Sequence, residues 1–367
     1  MPRLTALTLS LALLAGCQVY DPALVEQDGG ASGCDRSLPP PRPDAPDDGE
    51  DVGERVYVVR DVVFDQSGDR WRTIGYDLDE RCTEPPGYDA ECRPPHAPSR
   101  PEVDGEGGLD NAFGHHLFPL VEVTNPGLQD VARGYQERGV GAIMLIMRGW
   151  NGADDDARVE ITLGISVYAT PGGADDTEPP EVMSTPDGPQ TPAGEPLPEP
   201  VWDGHDWFWL RADNFLDGDV DTPFIYDDNA YVSGGTIVLS LPNRTDFIFP
   251  GPEIGLLVRL TGAVATARLT DDGTRLEDIV VAGRWPTLDL LDTAEAVGVC
   301  PGGSEHEIFT RQLDRVSDIR AREGTGGPDV SCDAVSIGLA FEQGVEARFA
   351  GLAPGADVPN ACEEEGM

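Results

Sequence analysis

Apolar residues occur along this chain in short bursts, often alternating with polar neighbours, and few stretches repeat at the helical spacing of three and four. Alternation or a compact apolar run predicts strands at 56–59 with 62–64, and at 72–78, 142–149, 158–168 and 207–210. Further strands are expected at 236–241, 254–260, 263–269 and 276–282, and 335–349 reads as a hairpin turning at Gln343-Gly344. Asn151-Gly152 is a turn signal between two of these runs. Three short helices interrupt the pattern. One follows the N-cap Asn125 and stops at Gly139, with Leu128, Val131 and Tyr135 on one face. A second opens at Trp285-Pro286 and carries Leu288, Leu290, Leu291 and Ala294. The third starts at Ser304 with Glu307 three residues on, as in a capping box, and carries Ile308, Leu313 and Val316. Many short strands at regular turn spacing predict a mainly β fold, a β-sandwich or jelly roll with a few short covering helices.

Two stretches lack this pattern. Residues 17–51 are acidic and rich in proline, with the run Pro39-Pro40-Pro41-Arg42-Pro43, and read as an extended tether. Residues 171–200 are similar and read as a long Pro-rich loop inside a single β-rich domain spanning 52–367. The 44 glycines and 33 prolines argue against long helices elsewhere.

The first twenty residues have a different character. Arg3 precedes an apolar run from Leu4 to Leu14, too short to span a bilayer and of the length of a signal-peptide core. Leu14-Ala15-Gly16-Cys17 then resembles the lipobox of bacterial lipoproteins. The resemblance implies removal of a signal peptide at 1–16, acylation of Cys17 by palmitate-type chains and anchoring of the mature protein in the bacterial envelope. Gln18, in place of the aspartate that marks inner-membrane retention in such lipoproteins, implies the outer membrane.

Charge narrows the function. The formal net charge is −42, which should repel nucleic acid and anionic surfaces. All 25 basic residues are arginine, so chemistry that needs a lysine is excluded: a P-loop phosphate lysine, a Schiff base, a Ser-Lys dyad. No nucleophile elbow, dinucleotide fingerprint or zincin motif is present, and the five histidines, read one by one, suggest no catalytic site. With Cys17 lipidated, six cysteines remain for an oxidising compartment, and neighbour pairing suggests Cys82–Cys92 and Cys300–Cys332, leaving Cys34–Cys362.

Two places could carry chemistry. Asp77 and Asp79, alternating on the expected strand, and Asp104, Glu106, Asp110 and Asn111 on a glycine-rich loop are hard oxygen donors of the kind Ca²⁺ takes. Solvated turns in so acidic a chain would look the same. Trp202, His205 and Asp206 stand in an aromatic segment of the kind that stacks sugars and binds their hydroxyls, although Trp207 and Trp209 equally suit a core. A second acidic run, Asp217, Asp219 and Asp221, lacks the rest of an EF-hand.

The strings IGYDLDERCT, GLDNAFG, DDNAYVSG and AGRW resemble segments of uncharacterised acidic lipoproteins of the myxobacterial type, over nearly the whole chain after Cys17. That resemblance implies one whole-length envelope domain and brings no catalytic residue. The expected function is a non-enzymatic, lipid-anchored surface module whose partner is a glycan or another envelope protein. The alternatives are a calcium-dependent carbohydrate-binding protein and a hydrolase using Asp or Glu. Cys17→Ser should abolish acylation and move the protein from the membrane to the soluble fraction, checked by intact-mass measurement and fractionation.

Overall fold

The computed structural model describes residues 34–44, 51–85, 88–96, 100–124, 126–185, 188–249, 256–355 and 361–364. The expected signal peptide at 1–16 and the expected lipidation site Cys17 lie outside them. Strands make up 37% of the protein and helices 20%. In chain order the strands are β1 (Arg55–Val63), β2 (Ile143–Arg148), β3 (Asp156–Thr170), β4 (Met183–Thr185), β5 (Gly188–Gln190), β6 (Trp207–Arg211) and β7 (Ile225–Ser233). They continue with β8 (Thr236–Ser240), β9 (Thr245–Phe249), β10 (Leu256–Leu269), β11 (Arg275–Pro286), β12 (Ala334–Glu346) and β13 (Arg348–Ala353). The helices are α1 (Phe118–Thr124), α2 (Leu128–Glu137), α3 (Thr287–Ala296), α4 (Ser304–Val316) and α5 (Ala361–Glu364).

The expectation of a sandwich or jelly roll gives way to a closed sheet. Pairing runs β1–β2–β3–β7–β8–β10–β11–β12 and returns to β1, antiparallel at every step. Closure comes from β3, whose fifteen residues bond β2 along one edge and β7 along the other. Alternation then sends Val59, Leu145, Ile161, Val281, Ile337 and Phe341 into one continuous core. Side chains fill it, leaving an apolar void of about 30 Å³. Phe118 stacks on Phe64 at a ring-centroid distance of 6.0 Å, and Phe249 meets Phe64 edge-on at 5.2 Å. Leu290 of α3 and Leu313 and Val316 of α4 join the same core.

The C-terminal half of β3 carries β6 instead of β7, and β13 runs parallel to β6. This flap folds over the outer faces of β1 and β2, where Val58, Met144 and Ile146 meet Phe208, Leu210, Phe349 and Leu352. Trp207 and Trp209 pack with Tyr168 beneath Val182 and Leu197 of the Pro-rich stretch, which itself holds the β4–β5 hairpin. From Cys34 onward the chain is one compact unit. Residues 34–44, at the end of the segment read as a tether, lie against it. Arg42 donates to the carbonyls of Ala157 and Asn229 across the β3–β7 seam, and the Tyr231 hydroxyl donates to Pro40 O at 2.6 Å.

Several local expectations change. Residues 72–78 are not a strand: a 3₁₀ turn at Arg70–Thr73 buries Trp71, and Gly75 takes φ 131°, which breaks any ladder. From Leu256 onward, the runs expected at 254–260 and 263–269 are one bulged strand, β10, and 254–255 lie outside the described residues. The hairpin at Gln343-Gly344 is absent, because β12 continues to Glu346 before the chain leaves for β6. β7 carries the polar string Asp227-Asp228-Asn229 on a strand whose Ile225, Ala230 and Val232 face the core, so its alternation is weak. Asn125, the expected cap, lies outside the described residues.

All three expected disulfides are corrected: the pairs are Cys34–Cys82, Cys92–Cys332 and Cys300–Cys362. Neighbour pairing fails because the chain after β1 doubles back over the outer wall of the barrel. There Cys332 N donates to Arg93 O and Arg93 N to Val330 O, at 2.8 Å each, which brings Cys92 to Cys332 across 240 residues. A crosslink closing so long a loop restricts the unfolded chain strongly. The double change Cys92→Ser with Cys332→Ser should lower the unfolding free energy by about 2–5 kcal/mol in urea titration.

Candidate functional site

The segment between β1 and α1, with the loop before β12, forms a cover on the outer wall of β10, β11 and β12. Tyr76 hydrogen-bonds Thr266 at 2.7 Å, and the Ala112 N–H donates to Ser336 Oγ at 2.9 Å. Arg284 of β11 is 1% exposed beneath this layer. Its guanidinium donates to Glu91 at 2.7 Å and to the carbonyls of Arg320 and Leu78 at 2.8 and 2.5 Å.

Four carboxylates gather inside the cover. Asp77, Asp79 and Asp110 each place an oxygen within 4.8 Å of the others. The backbone explains the approach. Asp110 N donates to Tyr76 O at 3.0 Å, laying the glycine-rich loop beside 76–79. Asp110 Oδ2 then accepts from Leu78 N at 2.7 Å, while Asp79 Oδ1 accepts from Arg81 N at 2.8 Å. Gly108 permits this contact: at φ +73° its missing Cβ would stand 2.7 Å from Arg81 O. Arg36 Nε donates to Asp77 at 2.6 Å, and Asp104 receives the Thr83 N–H.

The electrostatics follow from burial and like charge. Burial pushes Asp79 up to about 6, with the charges of Asp77 and Glu91 adding to the rise. Asp104 is pushed up to about 9 by burial first, then by Asp79, Asp318 and Asp77, against the Thr83 hydrogen bond. Asp110 is raised well above the carboxylate range by burial, Asp79, Asp104 and Asp318. Asp318 is pushed up to about 7 by burial, and two hydrogen bonds from Ser336 oppose the shift.

The expected calcium set is therefore only partly brought together. Asp77, Asp79 and Asp110 converge, and Asp104 is close enough to feel them. Glu106 is exposed on its turn. Asn111 is committed elsewhere: its Nδ2 donates to Gln66 Oε1 and Ile74 O, and its Oδ1 accepts from Gly114 N and Gly338 N. It fastens the cover to β12. The Asp217, Asp219 and Asp221 run is exposed.

The aromatic segment is built as structure. Asp206 is 2% exposed and its carboxylate caps Val201 N and Trp202 N. Arg60 lies 4.4 Å over the Trp202 ring, whose indole N–H donates to Glu137 O, so one face that a sugar could stack on is covered. His205 is half-buried, and its backbone N–H donates to Asp203 Oδ1 at 3.0 Å.

An open pocket of about 320 Å³ lies at the other end of the barrel, among the β2–β3, β7–β8 and β10–β11 turns. Trp150, Arg55, Arg268, Asp154, Asp271 and Asp272 line it. Sequence reasoning had no means to find it, since its walls come from three separate turns. It also missed the group Glu102, His115 and His116, although two adjacent histidines in a chain with five were a signal. Comparison with protein families, with curated proteins and with solved structures finds no match. No helix among the described residues is long and apolar enough to cross a membrane.

These shifts have a definite sign. A carboxyl whose folded pKa is raised holds its proton more tightly folded than unfolded, so its contribution falls as pH rises from about 4 through the folded value. Asp79, Asp318 and Asp104, at about 6, 7 and 9, all act in this direction. In chelator at constant ionic strength the melting midpoint should therefore be lower at about pH 8 than at about pH 5. Asp104→Asn should flatten that slope, read by circular dichroism.

Proposed function

We propose that this chain is a lipid-anchored protein of the bacterial envelope, acting as a non-enzymatic binding module whose acidic cover is completed by a bound Ca²⁺. The observation that carries the proposal is the convergence of Asp77, Asp79 and Asp110 within 4.8 Å in a buried layer. Arg36 neutralises Asp77, and Arg284, near Asp79, is itself paired with Glu91. Asp79 and Asp110 meet backbone N–H groups, which orient a carboxylate without cancelling its charge. A hard dication removes the remaining repulsion. Asp79, Asp110 and Asp77, with Asp104 beside them, would supply part of the roughly six to eight oxygens that Ca²⁺ takes, water and main-chain carbonyls the rest. Its chemistry here would be structural: it would hold the glycine-rich loop against 76–79.

The lipobox-like Leu14-Ala15-Gly16-Cys17 supports the envelope address, and the filled barrel supports a rigid platform that takes no ligand inside. The contact with a partner then falls to the surface. The pocket at the turn end suits a glycan, since Trp150 offers an apolar surface among arginine and carboxylate groups that bind hydroxyls. This reading keeps the calcium-dependent carbohydrate-binding alternative and moves its ligand away from Trp202, His205 and Asp206.

Millimolar Ca²⁺ should raise the melting midpoint over chelator, with a stabilisation of about 2.7 kcal/mol at a hundredfold excess over the dissociation constant. Asp79→Asn with Asp110→Asn should remove the shift while the protein still folds. An unchanged midpoint in the wild type ends the calcium reading.

A further inference from the structure

We infer that Glu102, His115 and His116 form a second metal site, selective for a transition-metal dication of the Zn²⁺ class. It uses none of the carboxylates assigned to Ca²⁺ and stands independently of that reading. The two histidines are adjacent in sequence, and on a regular helix successive side chains point in different directions. Here residues Phe113–Leu117 form a π-helical turn. The imidazoles stack on one another, ring centroids 3.9 Å apart and 27° from parallel. Trp71 stacks on the far face of the pair, 3.9 Å from His115 and 11° from parallel. Single π turns of this kind recur at functional sites because they re-aim side chains.

Both rings aim at one carboxylate. His115 Nδ1 lies 2.6 Å from Glu102 Oε1, and His116 Nε2 lies 2.7 Å from Oε2. The three groups place one donor atom each within 4.8 Å of one another. Two imidazole nitrogens and one carboxylate oxygen are the donor set of an open zinc site, and imidazole selects Zn²⁺, Co²⁺ or Ni²⁺ over Ca²⁺. The stacked rings are already held; a metal would replace the protons that the imidazoles share with Glu102, releasing them to solvent as the carboxylate draws back to make room. The two histidine side chains remain 34% and 37% exposed, and Glu102 16%. That leaves water access for a fourth ligand. The charge of Asp318 reaches both Glu102 and His116, and a dication would be favoured in that field. All six cysteines of the described residues are in disulfides, so no thiolate competes for the metal.

The test uses the full chain in detergent, without a histidine tag, titrated with Co²⁺ alone and then with Zn²⁺ as competitor. One equivalent of Co²⁺ should bind, give visible absorption bands and be displaced by Zn²⁺. His116→Gln and Glu102→Gln should each weaken binding about tenfold or more, by analogy with the loss seen when a supporting partner of a metal ligand is removed. Asp79→Asn with Asp110→Asn should leave it unchanged, so this site can fail or succeed apart from the calcium site. Absence of stoichiometric Co²⁺ binding, or equal affinity in His116→Gln, overturns the inference. If the variants do not fold, paramagnetic proton spectra of the wild-type Co²⁺ protein decide. Two shifted, solvent-exchangeable imidazole N–H resonances are expected, and fewer than two overturn it.

Discussion

Arg284 is the constraint around which the outer layer is arranged. Its charge sits on the wall of a β-barrel, 1% exposed, where an unpaired guanidinium would be strongly destabilising. Three remote pieces of chain meet it: the Glu91 carboxylate, the Leu78 carbonyl and the Arg320 carbonyl. Glu91 also accepts the Arg320 N–H at 2.9 Å, so one oxygen joins the strand, the cover and the loop before β12. Removing one partner of such a pair typically costs about 3–5 kcal/mol, because the other charge stays buried. Its role here is positional: it brings Cys92 near Cys332 and sets the register in which the acidic loops approach one another.

That register has an electrostatic consequence. A layer held by one buried arginine draws in more carboxylates than it can neutralise, in a protein with a formal charge of −42 and no lysine. Backbone N–H groups settle the orientation of Asp79, Asp104 and Asp110, while burial first, and then repulsion among the carboxylates, raises their pKa values. Glu102 is the contrast. Burial would raise it too, yet hydrogen bonds from His115 and His116 hold it down at about 2. One cover thus contains a hard, all-oxygen group and a mixed nitrogen and oxygen group, bridged by the field of Asp318. The barrel beneath, filled with side chains, acts as the rigid support.

Legibility in the sequence followed the range of the interactions. β2, β3, β8 and the helices α2, α3 and α4 lie close to where apolar periodicity, Trp285-Pro286 and Ser304 placed them, because those signals act over a few residues. The expected capping box at Ser304 and Glu307 does not form: Gly303 is the N-cap and no side chain caps it. β7 was not legible: its strand character comes from pairing with β3, which outweighs Asp227-Asp228-Asn229. At the candidate site, Asp104 and Asp110 could be named from their glycine-rich loop, whereas Asp77 and Asp79 were named from alternation on a strand that the structure does not form. Asn111 and Glu106 could not be told from them, since the same short polar side chain can ligate, cap a backbone or face water.

The sequence by itself determined the composition of the problem: a mainly β chain, strongly acidic, free of lysine, with six cysteines beyond Cys17 and two acidic segments beside glycines. Tertiary structure decided which of these meet. The barrel closes because β3 is long enough to bond two partners, a property of pairing and not of pattern. The disulfides join segments as far apart as 240 residues because the cover folds back on β11 and β12. His115 and His116 face one carboxylate because a π turn, the Trp71 ring and Glu102 act on them together. Local propensity extends over a turn or a strand, whereas charge neutralisation and close packing are satisfied only by groups that the fold brings within a few ångströms.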